Sequence, residues 1–207
     1  MTRYICLLRG VNLGGNNMIA MADLKAHLAK KGYRDVQTVL QSGNVILSAP
    51  TKSAAVLESQ LEAEIEKRFK LTLDLHVRTG DEWRTLVERN PFPAEAQQNP
   101  SAFMVTCYKK PLDRAAIKAL RDGIAALKGR ELLHADGRHL YMFFPDGYGP
   151  SKSRPLVERK LPKGTTRNWY TVLKLGALCS GAPAPPRVPG FRGSVGSRGS
   201  ARSGSDG

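Results

Sequence analysis

The residues best suited to chemistry lie between Arg9 and Asn17. Gly10, Gly14 and Gly15 can turn backbone N–H groups toward one point, and Arg9 adds a full positive charge beside them. Asn12 and Asn16 give direction without charge. Ahead of a helix, this combination suits an anion. The same residues equally suit a plain loop with left-handed backbone positions. The stretch has neither the G-K-[ST] ending of a phosphate loop nor the G-x-G-x-x-G spacing of a dinucleotide site. A second polar cluster, Ser42-Gly43-Asn44, reads by itself as a hairpin turn.

A third cluster is basic. Lys152, Arg154, Arg159, Lys160, Lys163 and Arg167 crowd around one helical segment and its loop, next to Asn168. They form either an attractive field for an anion or a solvated face. Thr165 or Thr166 is placed to cap the following helix, whose N-terminus also favours anions. Tyr141, Tyr148, Trp169 and Tyr170 have rings that can stack on bases, though Trp169 fits a core equally well.

Other chemistries find no support in the residue pattern. His134 and His139 stand across an expected hairpin with no Cys or carboxylate cluster, and His27 and His76 are isolated, so no metal site is expected. No cofactor motif is present, and no Ser-His-Asp arrangement can be defended.

The elements that position these residues follow from periodicity. RYICLLR at 3–9 is a short apolar run and reads as a strand. Met21, Leu24 and Leu28 recur at helical spacing up to Gly32. Runs at 36–41 and 45–48 flank the Ser-Gly-Asn turn. Leu57, Leu61, Ile65 and Phe69 mark a second helix. LTLDLHV at 71–77 alternates as a half-buried strand does, which leaves its polar face to solvent. The order is β-α-β-β-α-β, a ferredoxin-like unit. In such a unit the first and third strands are antiparallel neighbours, so Arg9 and Asn12 should meet Ser42, Gly43 and Asn44 at one sheet edge.

A short helix over 81–89 and a Pro-rich stretch, NPFPAEAQQNP, that resists helix come next. The order then restarts, with a strand at 102–108, a helix on Ile117, Leu120, Ile124 and Leu127, a hairpin around Asp136-Gly137-Arg138, a helix near 155–161, and a last helix on Trp169, Val172 and Leu173. The expected fold class is α+β: two tandem ferredoxin-like (βαββα) halves forming one compact unit, with a disordered C-terminal tail. The boundaries are residues 1–90 for the first half, 91–100 for a linker, 101–178 for the second half, and 179–207 for a Gly/Ser/Pro/Arg tail that lacks core formers.

Charge follows this division. The net charge of +14 is carried mostly by 109–178, with 15 Lys+Arg against 6 Asp+Glu, while 1–108 holds 13 against 11. Cys6, Cys107 and Cys179 show no pairing pattern, which points to a reducing compartment. The N-terminal apolar run lacks a cleavage site, and no stretch approaches the ~20 apolar residues of a membrane span. A cytoplasmic protein without a membrane or metal partner is expected.

Five segments in one order resemble a known family. LLRGVNLGGNN at 7–17 followed by MADLKAHL, LQSGNVILS at 40–48, RNPF at 89–92, DGRHLYMFFPDGYGPSK at 136–152, and ERKL with TTRNWYTVLKL at 158–175 are similar to the bacterial family labelled domain of unknown function 1697. Met18 and Ala20 stand where that pattern has Lys and Pro. The resemblance implies a compact α+β fold of two ferredoxin-like halves and no established activity.

Three functions remain open. One is a binding protein for a phosphate-bearing ligand, a nucleotide or RNA. Another is a small enzyme acting on an anionic metabolite at the Arg9/Asn44 sheet edge. The last is a protein–protein accessory factor. The candidate anion site is Arg9, Asn12, Gly14, Gly15, Asn16, Ser42, Gly43 and Asn44. The candidate basic patch is Lys152, Arg159, Lys160, Lys163, Arg167 and Asn168.

Overall fold

The computed structural model describes residues 1–15, 17–51 and 53–183. Asn16 of the candidate loop and the tail arginines Arg187, Arg192, Arg198 and Arg202 lie outside the described residues. The first half runs β1 (Thr2–Leu8), α1 (Met21–Lys30), β2 (Arg34–Val39), β3 (Asn44–Ala49), α2 (Ala54–Phe69), β4 (Leu75–Thr79) and α3 (Gly80–Glu88). After α4 (Pro93–Gln98), the second runs β5 (Phe103–Cys107), α5 (Arg114–Ala126), β6 (Leu132–Asp136), β7 (His139–Phe143), α6 (Arg154–Lys160), β8 (Thr165–Asn168) and α7 (Trp169–Ser180).

The protein is α+β, with two four-stranded antiparallel sheets ordered β2-β3-β1-β4 and β6-β7-β5-β8. The central strand of the first sheet explains why the sheets stack. β1 is apolar at consecutive positions, so both its faces are buried. Tyr4, Cys6 and Leu8 face a core shared with Leu24, Leu28, Leu57 and Leu61 of α1 and α2. Ile5 and Leu7 face the opposite way, into a core shared with Phe103, Val105 and Tyr141 of the second sheet and with Trp83 of α3 and Val172 of α7. A third core lies beneath α5 and α6.

Local signals explain most helix starts. Thr79 and Glu82 form a capping box on α3, and Asp113 caps α5 by accepting from the Ala116 N–H. Glu62 and Glu58 of α2 accept from the N–H groups of Leu75 and Val77. These carboxylates occupy donors of the outer edge of β4, which would otherwise invite strand addition.

Five expectations need correction. The stretch at 71–77 pairs only from Leu75, because β1 ends at Leu8, the residue opposite Leu75. The alternating face of β4 is not solvated, since His76 and Arg78 are fully buried beneath the second half. The Pro-rich stretch forms α4, with Pro93 in the first turn, where a missing N–H costs nothing. Thr165 and Thr166 are not caps. They lie in β8, paired with Cys107 and Thr106 of β5, and Asn168 caps α7 by accepting from the Thr171 N–H. α7 continues through Cys179 and Ser180, and Cys179 is buried.

Candidate functional site

The loop after β1 and the turn before β3 meet as strand pairing requires. Leu7 stands opposite Asn44, and the Leu8 N–H donates to the Gly43 carbonyl at 2.8 Å. Asn12, at φ +54°, closes the meeting from one side. Its amide donates to the carbonyls of Ile19 and Gln41, and its carbonyl accepts from the Ile19 N–H. Asn44 is fully buried and donates to the Val39 carbonyl and to Ser42 Oγ. Gly43 is required here on two counts. Its φ is +73°, and a Cβ would sit 2.2 Å from Val11 Cγ1. Gly14 and Gly15, also at positive φ, lie exposed in the loop and line neither cavity described below.

Across this meeting runs Arg167. Its Nε donates to Asn44 Oδ1 at 2.5 Å, and its terminal nitrogens donate to Thr165 Oγ1 and to the carbonyls of Thr166, Leu8 and Ser42. Burial pushes its pKa down to about 10, so it remains charged at neutral pH. Every donor nitrogen of this guanidinium is bound to the chain, and it joins the two halves. Arg78 does the same elsewhere. It donates to His139 Nε2 and to the carbonyls of Val77, Tyr108 and Arg138. Neither arginine has a carboxylate in ion-pair contact among the described residues. His139 must be neutral to accept from Arg78, and burial, then the neighbouring guanidiniums, holds its pKa at about 3. His76 is fully buried with no hydrogen-bond partner on either ring nitrogen among the described residues, with the Lys163 backbone alongside, and is held at about 4 by burial first and then by Arg78 and Lys109.

Arg9 differs from Arg167. Its Nε donates to the Gly164 carbonyl at 3.2 Å, but its terminal nitrogens make no hydrogen bond among the described residues. Asp74 is a loose partner at 3.7 Å, and the Arg9 side chain is 39% exposed. Arg9 lies on the wall between two adjoining cavities. A larger one of about 750 Å³ lies between the halves, under Leu13, Ser42 and Arg167. A smaller one of about 260 Å³ runs between the second sheet and α6. Both are also lined by Met104, Tyr148, Gly164 and Thr166.

The smaller cavity has an apolar floor of Met104, Met142 and Phe144 and a mouth carrying Arg9, Arg154 and Lys163. Glu158 is the acid there, 3.8 Å from Arg154. Along one wall four hydroxyls follow one another. Tyr108 approaches Thr106, Thr106 Oγ1 lies 2.9 Å from Thr166 Oγ1, and Thr166 approaches Tyr148. Burial raises both tyrosine pKa values, so these phenols keep their protons. Gly164 has no left-handed backbone, yet space demands it. A Cβ would stand 2.7 Å from Thr106 Cγ2 and 2.8 Å from the Tyr108 ring.

Of the basic patch, Lys163, Arg167 and Asn168 reach these cavities, whereas Lys152, Arg159 and Lys160 line neither. Sequence reasoning placed Arg154 in the basic cluster but did not single out Tyr108, Thr106 or Gly164. Thr106 and Tyr108 alternate with the core residues Val105 and Cys107, a signal that strand polarity carries once β5 is known to have two differently covered faces.

A family model described as "Protein of unknown function (DUF1697)" matches residues 1–141. The solved structure of conserved bacterial protein SP0830 from Streptococcus pneumoniae is similar at a TM-score of 0.65 and 23% identity, covering 86% of this chain and 98% of that one. At that identity the likeness is one of fold. No curated protein matches the chain. Among the described residues no helix is long and apolar enough to cross a membrane, and no group of His, Cys, Asp and Glu could hold a metal ion.

Proposed function

Because the chain belongs to the family of unknown function DUF1697, whose label carries no activity, we propose from the cleft itself that it binds a phosphate-bearing ligand, a nucleotide or RNA. Arg9 carries this reading. A guanidinium anchored by Nε at a cavity wall, its terminal nitrogens held only by a loose ion pair with Asp74 among the described residues, can grip a phosphate in two places. Lys163 and Arg154 stand at the same mouth. Arg167, charged and without a carboxylate partner, adds to the potential of the larger cavity. Phenols that keep their protons suit hydrogen-bond donation to an anion better than proton abstraction.

The halves themselves are read as ferredoxin-like units, supported by the same β-α-β-β-α-β order and the same strand order in each. Three free, buried thiols fit a cytoplasmic setting.

Thermal unfolding of the whole chain, alone and with inorganic phosphate, ribose phosphate, adenosine monophosphate or oligouridylate, tests the reading. A ligand bound only by the native state raises its stability, by roughly 2.7 kcal/mol at a hundred times Kd. At least one phosphate-bearing probe should raise the unfolding temperature, and Arg9→Gln should suppress the shift, while Lys152→Gln should not. No shift with any of the probes, or equal shifts in both variants, would overturn the assignment.

A further inference from the structure

We infer that the smaller cavity encloses a heteroaromatic ring, so that the occupant of the cleft is a mononucleotide-sized ligand with its ring inside and its phosphate at Arg9. This rests on the anion-binding reading above and adds the class of ligand. The cavity, at about 260 Å³, falls below the ~300–1,000 Å³ of pockets that take a whole drug-sized ligand. It therefore holds one group, and the adjoining cleft takes the rest. The two spaces share the Arg9 wall, so a ring in one and a charged end at the wall belong to one molecule.

The lining separates a ring from an alkyl chain. Met104 and Met142 offer polarizable thioethers, which favour aromatic contact. Phe144 meets Tyr148 edge-on at 5.1 Å, and the Arg154 guanidinium lies 5.5 Å over the Tyr148 ring. Such surfaces stack on the face of a base. The hydroxyl row of Tyr108, Thr106, Thr166 and Tyr148 runs along the wall. An alkyl chain would offer those hydroxyls nothing, whereas ring nitrogens and exocyclic groups would meet them. Apolar floor and polar wall together describe a heteroaromatic ligand. A polymer is less well served, because Lys152 and Arg159, which would extend a backbone track, line neither cavity.

Calorimetric titration of the full chain with adenosine monophosphate, ribose phosphate, adenosine and oligoadenylate decides the matter. Adenosine monophosphate should bind about five- to 150-fold more tightly than ribose phosphate, the range that stacking one base supplies. Tyr148→Leu should bring the two together by weakening the mononucleotide several-fold more than ribose phosphate. If that variant fails to fold, the ligand series on the wild-type chain stands alone as the test. Equal affinity for ribose phosphate and adenosine monophosphate would overturn the ring assignment while leaving the anion site intact. Tighter binding of oligoadenylate per site would overturn it in favour of an open track. Binding of none of the four would remove both readings.

Discussion

Arg167 and Asn44, 123 residues apart, form a 2.5 Å hydrogen bond that ties the last strand of one sheet to the hairpin turn of the other. Asn44 is fully buried, and Arg167 Nη2 reaches across to the Leu8 and Ser42 carbonyls. Arg167→Leu leaves the buried Asn44 Oδ1 and those carbonyls without their donor, so the chain should lose about 1–3 kcal/mol in denaturant unfolding. Arg167→Lys should recover little, since one ammonium cannot reproduce the fork. Asn44→Ala combined with Arg167→Leu should cost clearly less than the two singles added together. Additive losses would mean that the pair is not coupled.

Gly43→Ala should destabilise more than Gly14→Ala or Gly15→Ala. All three have positive φ, and each substitution should cost about 1 kcal/mol on that ground. Only at Gly43 does the added Cβ also collide with Val11 and Leu8. Equal midpoints for the three variants would remove the steric part of the argument.

Acid should weaken the fold before the carboxylates titrate. His76 and His139 are held at about 4 and about 3, whereas an unfolded histidine titrates near ~6.5. Between those values the unfolded chain binds more protons. Stability is therefore full above about 6.5 and falls as pH drops toward 4, by at most roughly 1.4 kcal/mol per pH unit for each histidine. Glu58, whose pKa burial raises, acts in the opposite direction. Unfolding midpoints measured from neutral pH to about 5 should decline, and His76→Gln with His139→Gln should flatten the decline. A flat profile in the wild-type chain would contradict the buried neutral state of both rings.

Gly164→Ala should reduce both stability and ligand binding, because the added methyl meets Thr106, Tyr108 and the Cys107 carbonyl at 2.7, 2.8 and 2.9 Å. Overpacking of this kind costs about 1–3 kcal/mol. Unchanged unfolding and unchanged affinity for adenosine monophosphate would show that the wall yields.

Much of this arrangement was legible in the residues. The apolar run of β1 marked a strand, helical spacing located α1, α2 and α5, and antiparallel pairing set the end of β1 beside the turn before β3, with the Leu8 N–H on the Gly43 carbonyl and Asn12 on the Gln41 carbonyl, while the Arg9 side chain turns instead to Gly164 and Asp74. What escaped depends on contacts between the halves. The polar face of β4 has the alternation of a solvated strand, and only the second half turns His76 and Arg78 inward. Arg167 sits among exposed cations in sequence, and nothing local separates it from Arg159. β8 has four residues of weak strand character and forms because β5 offers it a free edge.

Methionine methyl NMR gives the most direct test of the cleft. The chain has five methionines. Met104 and Met142 floor the smaller cavity, Met1 and Met18 are exposed elsewhere, and Met21 lies in the core beneath α1. Titration with adenosine monophosphate should move the Met104 and Met142 resonances together and leave the other three in place, and Arg9→Gln should abolish both shifts. Unmoved Met104 and Met142 signals at saturating ligand, or shifts confined to Met1 and Met18, would contradict a phosphate-bearing ligand in this cleft.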